Sequence, residues 1–291
     1  TMQNRNTTRL RLKDDEFDLI QKYRRIKEES IAAGINPDDV KHGWLKTDKS
    51  SLFFKNPNFK TEAKNKFAED LINELIQKAS GFNVEKVVFV IGNDVLNTDN
   101  LSRSTTKFTP QDTDVNWFKA FNIAKDCYIR CIELCMQVAN VDIIHCPSNH
   151  DEMTGCLLAQ TLQAWFRNSK NLTFNISPKY RKYYQFHNSM LEFEHGHRGK
   201  MANLPLQMAN EEPQMWANTK FRYAYLHHVH HQDKTQFKSG KDFTGCNVTY
   251  LRSPSSADLW HAESGYSNMV AVEAFLHSKD LGRVAHLTHY F

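Results

Sequence analysis

Long apolar runs are missing from this chain of 291 residues: none approaches the ~18–20 that span a bilayer, which excludes a transmembrane helix. The opening stretch, Thr1 to Lys13, is polar and basic and lacks the apolar core of a secretory signal. Internal repeats and low-complexity segments are absent as well, so solenoids and fibrous classes drop out. Cysteine is too sparse for a disulfide scaffold. Three of the six, Cys127, Cys131 and Cys135, recur at i, i+4 and i+8, on one face of a helix. A metal cluster would need them in a loop, so they read as buried core thiols. Free thiols without a secretory signal predict a reducing, cytoplasmic setting. Histidine is almost absent from the first half, 13 of 14 lying after residue 140, so one domain holds the enrichment.

What is present describes an ordinary globular chain, 40% hydrophobic and 24% charged, long enough for one large domain and an appendage. The formal charge of +4 comes entirely from residues 1–60, with 13 Lys/Arg against 9 Asp/Glu; residues 61–291 balance at 24 each. Residues 1–60 therefore form a basic amino-terminal segment, either a plain solvated surface or a module facing a polyanion such as DNA. Helical periodicity over 14–33 (Phe17, Ile20, Tyr23, Ile26), a stop at Gly34 and a new start at Asn36 or Pro37 suit a helix-turn-helix-like unit.

From Thr61 onward a second pattern begins. Helices are predicted at 63–80, 116–139 and 155–166. Apolar runs at 84–91, 141–145 and 172–174 read as buried strands between them. Strands then crowd together at 182–187, 189–194, 222–226, 246–251, 269–277 and 282–290, while 196–221 and 232–245 read as loops. Helices early and strands late predict sheets flanked by helices.

Chemistry-bearing residues collect where these strands end. Gly92-Asn93-Asp94 follows the first, Ser148-Asn149-His150-Asp151 the second, Glu194-His195-Gly196-His197 a later one, and His227-His228-Val229-His230 the next. Carboxyl ends of buried strands are where α/β proteins build sites. Each piece also has a bland reading: Gly-Asn-Asp as a tight turn, Asn-His-Asp as a helix cap, the histidines as an exposed tract. In an extended segment His228 and His230 share a face, spaced so that each could ligate one of two neighbouring metals. Asp151 beside His150 would make a carboxylate–imidazole pair.

The ordered set Asp94, Asn149-His150-Asp151, His195 and His228-x-His230 resembles the calcineurin-like metallophosphoesterases. It is most similar to phage-type members with an amino-terminal helix-turn-helix-like segment, and to the nuclease subunit of the DNA double-strand-break repair exonuclease. The resemblance covers residues 61–291 and includes Thr109-Pro110-Gln111-Asp112-Thr113-Asp114, Leu251-Arg252-Ser253-Pro254-Ser255 and Leu287-Thr288-His289. Residues 1–60, with His42-Gly43-Trp44, look like the phage-type amino-terminal portion. It implies a four-layer αββα metallophosphoesterase sandwich over 61–291, and a metal-dependent phosphodiesterase, in the first place a DNA nuclease. Two divalent metal ions are implied. Mn²⁺ is the expected cation from mixed His, Asn and Asp ligands, with Zn²⁺, Fe²⁺ or Ni²⁺ as alternatives. Asp94 would bridge the metals, Asn149, His195 and His228 would complete one shell, and His230 would serve the other. His150, aided by Asp151, would assist the leaving oxygen while a metal-bound hydroxide attacks phosphorus in line, and Arg252 would contact phosphate. The related nuclease subunit forms dimers, so a homo-oligomer is a further expectation. For a phage protein the compartment would be the host cytoplasm.

One departure is large. The family's domain opens with a strand ending in Asp-x-His, which supplies two metal ligands, and no Asp-x-His precedes Asp94. A strand is expected between Lys60 and Thr61. Its absence from the text fits an omitted stretch, a deletion or a one-metal member. Two other functions stay open on sequence: a small-nucleotide phosphodiesterase or phosphatase of the same fold, and a catalytically degenerate DNA- or protein-binding member.

Overall fold

The structure, a computed structural model, describes residues 61–111, 113, 115–228, 240–252, 254 and 271–290. Helix α1 spans Thr61–Lys78 and leads into strand β1, Lys86–Gly92. Helix α2 (Trp117–Val138), strand β2 (Asn140–Cys146), helix α3 (Glu152–Trp165) and strand β3 (Leu172–Asn175) follow. The α2 start is set by Asn116, whose side chain accepts from Lys119 N at 2.9 Å. β1, β2 and β3 make a parallel three-stranded sheet in which β1 and β2 end level, with Gly92 opposite Cys146.

Strands β4 (Lys182–Phe186), β5 (Ser189–Glu194), β6 (Phe221–Leu226), β7 (Gly240–Phe243) and β8 (Cys246–Tyr250) form a second sheet in the order β4-β5-β6-β8-β7. Its central strands β5, β6 and β8 are parallel and also end level, with Glu194 opposite Leu226 and Leu226 opposite Tyr250. Strands β9 (Ala271–Ser278) and β10 (Gly282–Tyr290) form an antiparallel pair.

Period-two alternation explains how these pieces pack. Val87, Phe89 and Ile91 of β1, with Val141 and Ile143 of β2, meet Ile129, Ile132 and Cys135 of α2 and Leu162 of α3. The alternate residues Val88, Val90, Ile144 and Cys146 join Leu191, Phe193 and Tyr225 of the second sheet and Phe275 of β9. Asp142 ties the sheets across that seam, accepting from Tyr184 Oη at 2.6 Å and pairing with Lys86 Nζ at 3.0 Å. On its other face the second sheet buries Met190, Ala224 and Val248 beneath Leu204 and Met208. Gly282, at φ +71°, lets the β9–β10 turn approach β6. A Cβ there would stand 2.6 Å from the Tyr223 hydroxyl.

The predicted helices and strands over 61–194 appear within a few residues of their expected limits, and Cys127, Cys131 and Cys135 line one helix with no disulfide. Residues 196–221, expected as loop, instead carry a 3₁₀ turn (Met201–Asn203), helix α4 (Leu204–Glu211) and helix α5 (Pro213–Asn218). Pro205 and Pro213 sit in first turns, where a missing N–H costs nothing, and Leu204 and Met208 supply the buried stripe. Strand β7 likewise occupies part of 232–245, the other expected loop. The basic segment 1–60 and its helix-turn-helix-like pattern lie outside the described residues. No helix among the described residues is long and apolar enough to cross a membrane.

Strand β5 carries an expensive feature. Glu192 shares a face with Met190, is fully buried, and neither carboxylate oxygen has a hydrogen-bond partner. Burial, then the neighbouring Glu194 charge, raise its pKa well above the ordinary range, and burial pushes Glu194 to about 7. A raised folded-state pKa means that the fold favours the protonated form. That stability is complete below the unfolded value near 4.5 and is lost as pH rises through the folded one. Glu192→Gln should therefore unfold at least ~3 °C above wild type at pH 8. The gap should close by pH 5, as followed by thermal denaturation; a gap independent of pH would contradict a protonated Glu192.

Candidate metal centre

Four loops leave the two level sheet edges toward a common point. The first is forced into an unusual path: Gly92, Asn93 and Asp94 all have positive φ, at 98°, 59° and 67°. A Cβ on Gly92 would lie 2.4 Å from the Cys146 carbonyl oxygen, so only glycine fits there. Asn93 N donates to the same carbonyl at 3.3 Å, closing the bend. The tight turn and the functional position are thus one structure: the left-handed run aims Asp94 across the sheet edge.

Asp94 is held at both oxygens. His150 N donates to Oδ1 at 3.2 Å, and Oδ2 lies 3.0 Å from His195 Nε2. Burial works against its charge, but the hydrogen bond and charge of His195 prevail and keep the carboxyl well below the usual range. His195 itself is completely buried. The amides of His227 and His228 both donate to its carbonyl, clamping the turn after β6 onto the end of β5.

His195 Nε2 is the focus of the site. Besides Asp94 Oδ2 at 3.0 Å, it meets Asn149 Oδ1 at 2.9 Å and His228 Nδ1 at 3.0 Å. One imidazole nitrogen carries at most one proton, so it cannot satisfy three such neighbours. A cation resolves the conflict, because a carboxylate oxygen, an amide oxygen and two imidazole nitrogens are all electron-pair donors. Ligand atoms ~2.1 Å from an octahedral ion lie ~3.0 Å from one another, the spacing found here. Asp94, His195 and His228 offer atoms mutually within 4.8 Å, which makes them a candidate metal triad.

The structure therefore brings together four of the five predicted ligands: Asp94, Asn149, His195 and His228. The fifth, His230, lies outside the described residues. His150 reaches the site through its backbone amide, while its ring Nδ1 turns to Asn97 Oδ1 at 3.1 Å. Its expected pairing with Asp151 does not form. Asp151 points inward, accepting from Leu96 N at 2.8 Å and bonding Ser148 Oγ. Gly155 makes room, since a Cβ there would stand 3.2 Å from the Asp151 carboxylate. Burial and then the Asp94 charge push Asp151 up to about 7. It is a brace between loops. Arg252, expected at the phosphate, has its guanidinium 3.9 Å from Glu273 and over the Tyr290 ring.

Sequence reasoning passed over a rim. The His197 ring lies 5.3 Å from that of His195 and 5.8 Å from that of His228. Arg198 Nε donates to His197 Nε2 at 3.1 Å, and its guanidinium covers Tyr180 at 4.8 Å and reaches Glu152 at 3.2 Å. Burial, then the nearby His195 and Arg198, lower His197 to about 4, so it is neutral near pH 7. The repeated His-x-His at 195 and 197 was the available signal. Nothing in sequence marks Tyr180, whose hydroxyl accepts from Gly196 N at 2.7 Å.

Compared with models of known protein families and with curated proteins, the chain matches none.

The ligand set predicts a graded response to substitution. Asp94→Asn and His195→Ala should weaken Mn²⁺ binding beyond the ~10–100-fold typical of losing an outer partner, measured by isothermal titration. His150→Ala should keep affinity within a few-fold, because its amide, not its ring, touches Asp94. Equal losses in all three would remove the distinction.

Proposed function

We propose that this chain is a metal-dependent phosphodiesterase, with DNA as the first substrate class to test. The observation that carries the reading is the convergence of Asp94, Asn149 and His228 on His195 Nε2. Two stacked sheets with helices on their outer faces suit the αββα sandwich expected of a calcineurin-like metallophosphoesterase, and the donors stand at the strand ends such a fold would use.

Asp94, Asn149, His195 and His228 would hold a divalent cation, Mn²⁺ by the mixture of donors. When bound, that cation would polarise a phosphoryl oxygen and activate water. The chain's own residues divide the remaining work. Asp94 keeps its negative charge across the working pH range. His150, with its ring outside the ligand cluster, would pass a proton to a leaving oxygen, with Asn97 rather than Asp151 orienting it. Arg198, steadied by His197, Tyr180 and Glu152, brings positive charge to the rim where a phosphodiester would approach. The basic excess of residues 1–60 favours a polymeric anion over a small nucleotide. His230 lies outside the described residues, and the reading rests on the one donor set of Asp94, Asn149, His195 and His228.

The test is hydrolysis of bis-p-nitrophenyl phosphate with Mn²⁺. We expect metal-dependent turnover that falls at least ~100-fold in His195→Ala. In His150→Ala, kcat should fall ~100-fold or more while Mn²⁺ still binds, as loss of a general acid predicts. Absence of metal-dependent turnover from intact protein would overturn the proposal.

A further inference from the structure

Beside the candidate metal centre, between the loop 98–111 and the first turns of α3, lies a cleft of about 410 Å³ lined by Asp99, Thr106, Glu152, Met153, Cys156 and Leu157. It is shallow and open to solvent rather than an enclosed cavity. It adjoins the loop that carries Asn149. Glu152 directly follows His150 and Asp151 in sequence, and Thr106 N donates to the Asn149 carbonyl at 3.3 Å.

The helix start at this cleft is unavailable to an anion. Asp99, itself buried, already accepts from Met153 N at 3.1 Å, from Thr154 N at 2.7 Å and from Thr106 Oγ1 at 2.8 Å. With Asp99 and Glu152 both acidic, the cleft repels phosphate. What it offers instead is an apolar wall. Met153 and Leu157, at i and i+4, stack on one face of α3 and are 57% and 49% exposed. An uncharged flat ring suits that wall, and a thioether packs well against aromatic faces. Glu152 adds an acceptor at the edge for an amino or ring N–H donor. Arg198 pairs with Glu152 at 3.2 Å and donates to His197 Nε2 at 3.1 Å, so one cation touches both the cleft's rim and the histidine beside the metal donors. The opposing loop is held rigidly: Thr105 N donates to Thr109 O at 2.9 Å, and Arg103 and Phe108 are fixed in left-handed conformations at φ 54° and 64°.

We infer that this cleft binds a nucleobase flanking the scissile phosphodiester, with Met153 and Leu157 against its face and Glu152 accepting from its edge. The inference rests on the phosphodiesterase reading for its biological meaning but is tested without catalysis. A single-stranded DNA octamer carrying 2-aminopurine is titrated against the full chain in EDTA, with fluorescence as the readout. Wild type should bind, and an abasic octamer should compete at least ~5-fold less well than an unmodified one. A Met153→Ser/Leu157→Ser double variant, with an unchanged circular dichroism spectrum, should lose ~5-fold or more in affinity. No binding by wild type, equal competition by the abasic octamer, or a double variant with wild-type affinity would each overturn the inference. So would sedimentation showing a wild-type dimer that the double variant dissociates, because a second copy would then fill the cleft. Failure of bis-p-nitrophenyl phosphate turnover alongside base-dependent binding would instead overturn the enzymatic reading and leave the base site standing.

Discussion

Parallel register is the constraint on which the site depends. In the first sheet Gly92 is paired with Cys146, and in the second Glu194, Leu226 and Tyr250 fall in one row. A strand one residue out of register would turn its whole apolar set to the other face and carry its loop away from the shared edge. Because the Val88, Val90 and Ile144 side chains must meet Leu191 and Phe193, the two edges are also brought level with each other. Asp94, two residues past one edge, can then touch His195, one residue past the other. No donor needs a long flexible reach.

This dependence explains how much was legible in sequence. Strands such as Lys86–Gly92 and Asn140–Cys146 announce themselves by β-branched runs, and the residue just past each run is then a candidate regardless of the turn it makes. Four predicted donors could be named for that reason. Orientation was not legible. Asp151 is adjacent to His150 in sequence, yet neighbours at a helix start point different ways. Gly155, one turn later, opened a pocket that drew the carboxylate inward. Helices α4 and α5 are hard to see in sequence, since each is under three turns long and each has a proline, which occupies the first turn. His197 was overlooked because Gly196 intervenes. At φ +97° with Leu226 against it, that glycine bends the chain back so that the second ring faces the first.

The covering helices also determine the electrostatics of β5. Leu204 and Met208 bury Met190 and, with it, Glu192 and Glu194 on the same face. Arg181 is the nearest opposing charge to Glu194, at 3.8 Å, but it is committed to Glu211 through its Nε and Nη2 atoms. Two buried carboxylates with one shared, distracted cation cannot both be ionised at low cost. The strand that ends in His195 thus carries the molecule's least comfortable side chains immediately before its most constrained one. Polar groups so placed are commonly the residue of a functional demand on the strand beyond them.

Asp94 and Asp151 show the same physics resolved in opposite directions. Both are largely withdrawn from water, and Asp151 feels the Asp94 charge. Asp94 has His195 at 3.0 Å and an amide on its second oxygen, so its anion is retained. Asp151 has one amide and one hydroxyl, no cation, and the Asp94 charge nearby, so burial and that charge carry it to about 7. Carboxylates whose surroundings drive their pKa values apart are recognisable as having different roles. The ionised one lies in the candidate donor cluster. The one pushed up to about 7 belongs to the scaffold, where its carboxyl bridges the Leu96 amide and the Ser148 hydroxyl. If Asp151 were as acidic as Asp94, the site would hold two adjacent anions against a buried imidazole, and the loop that carries Asn149 would be pushed from the edge it must share.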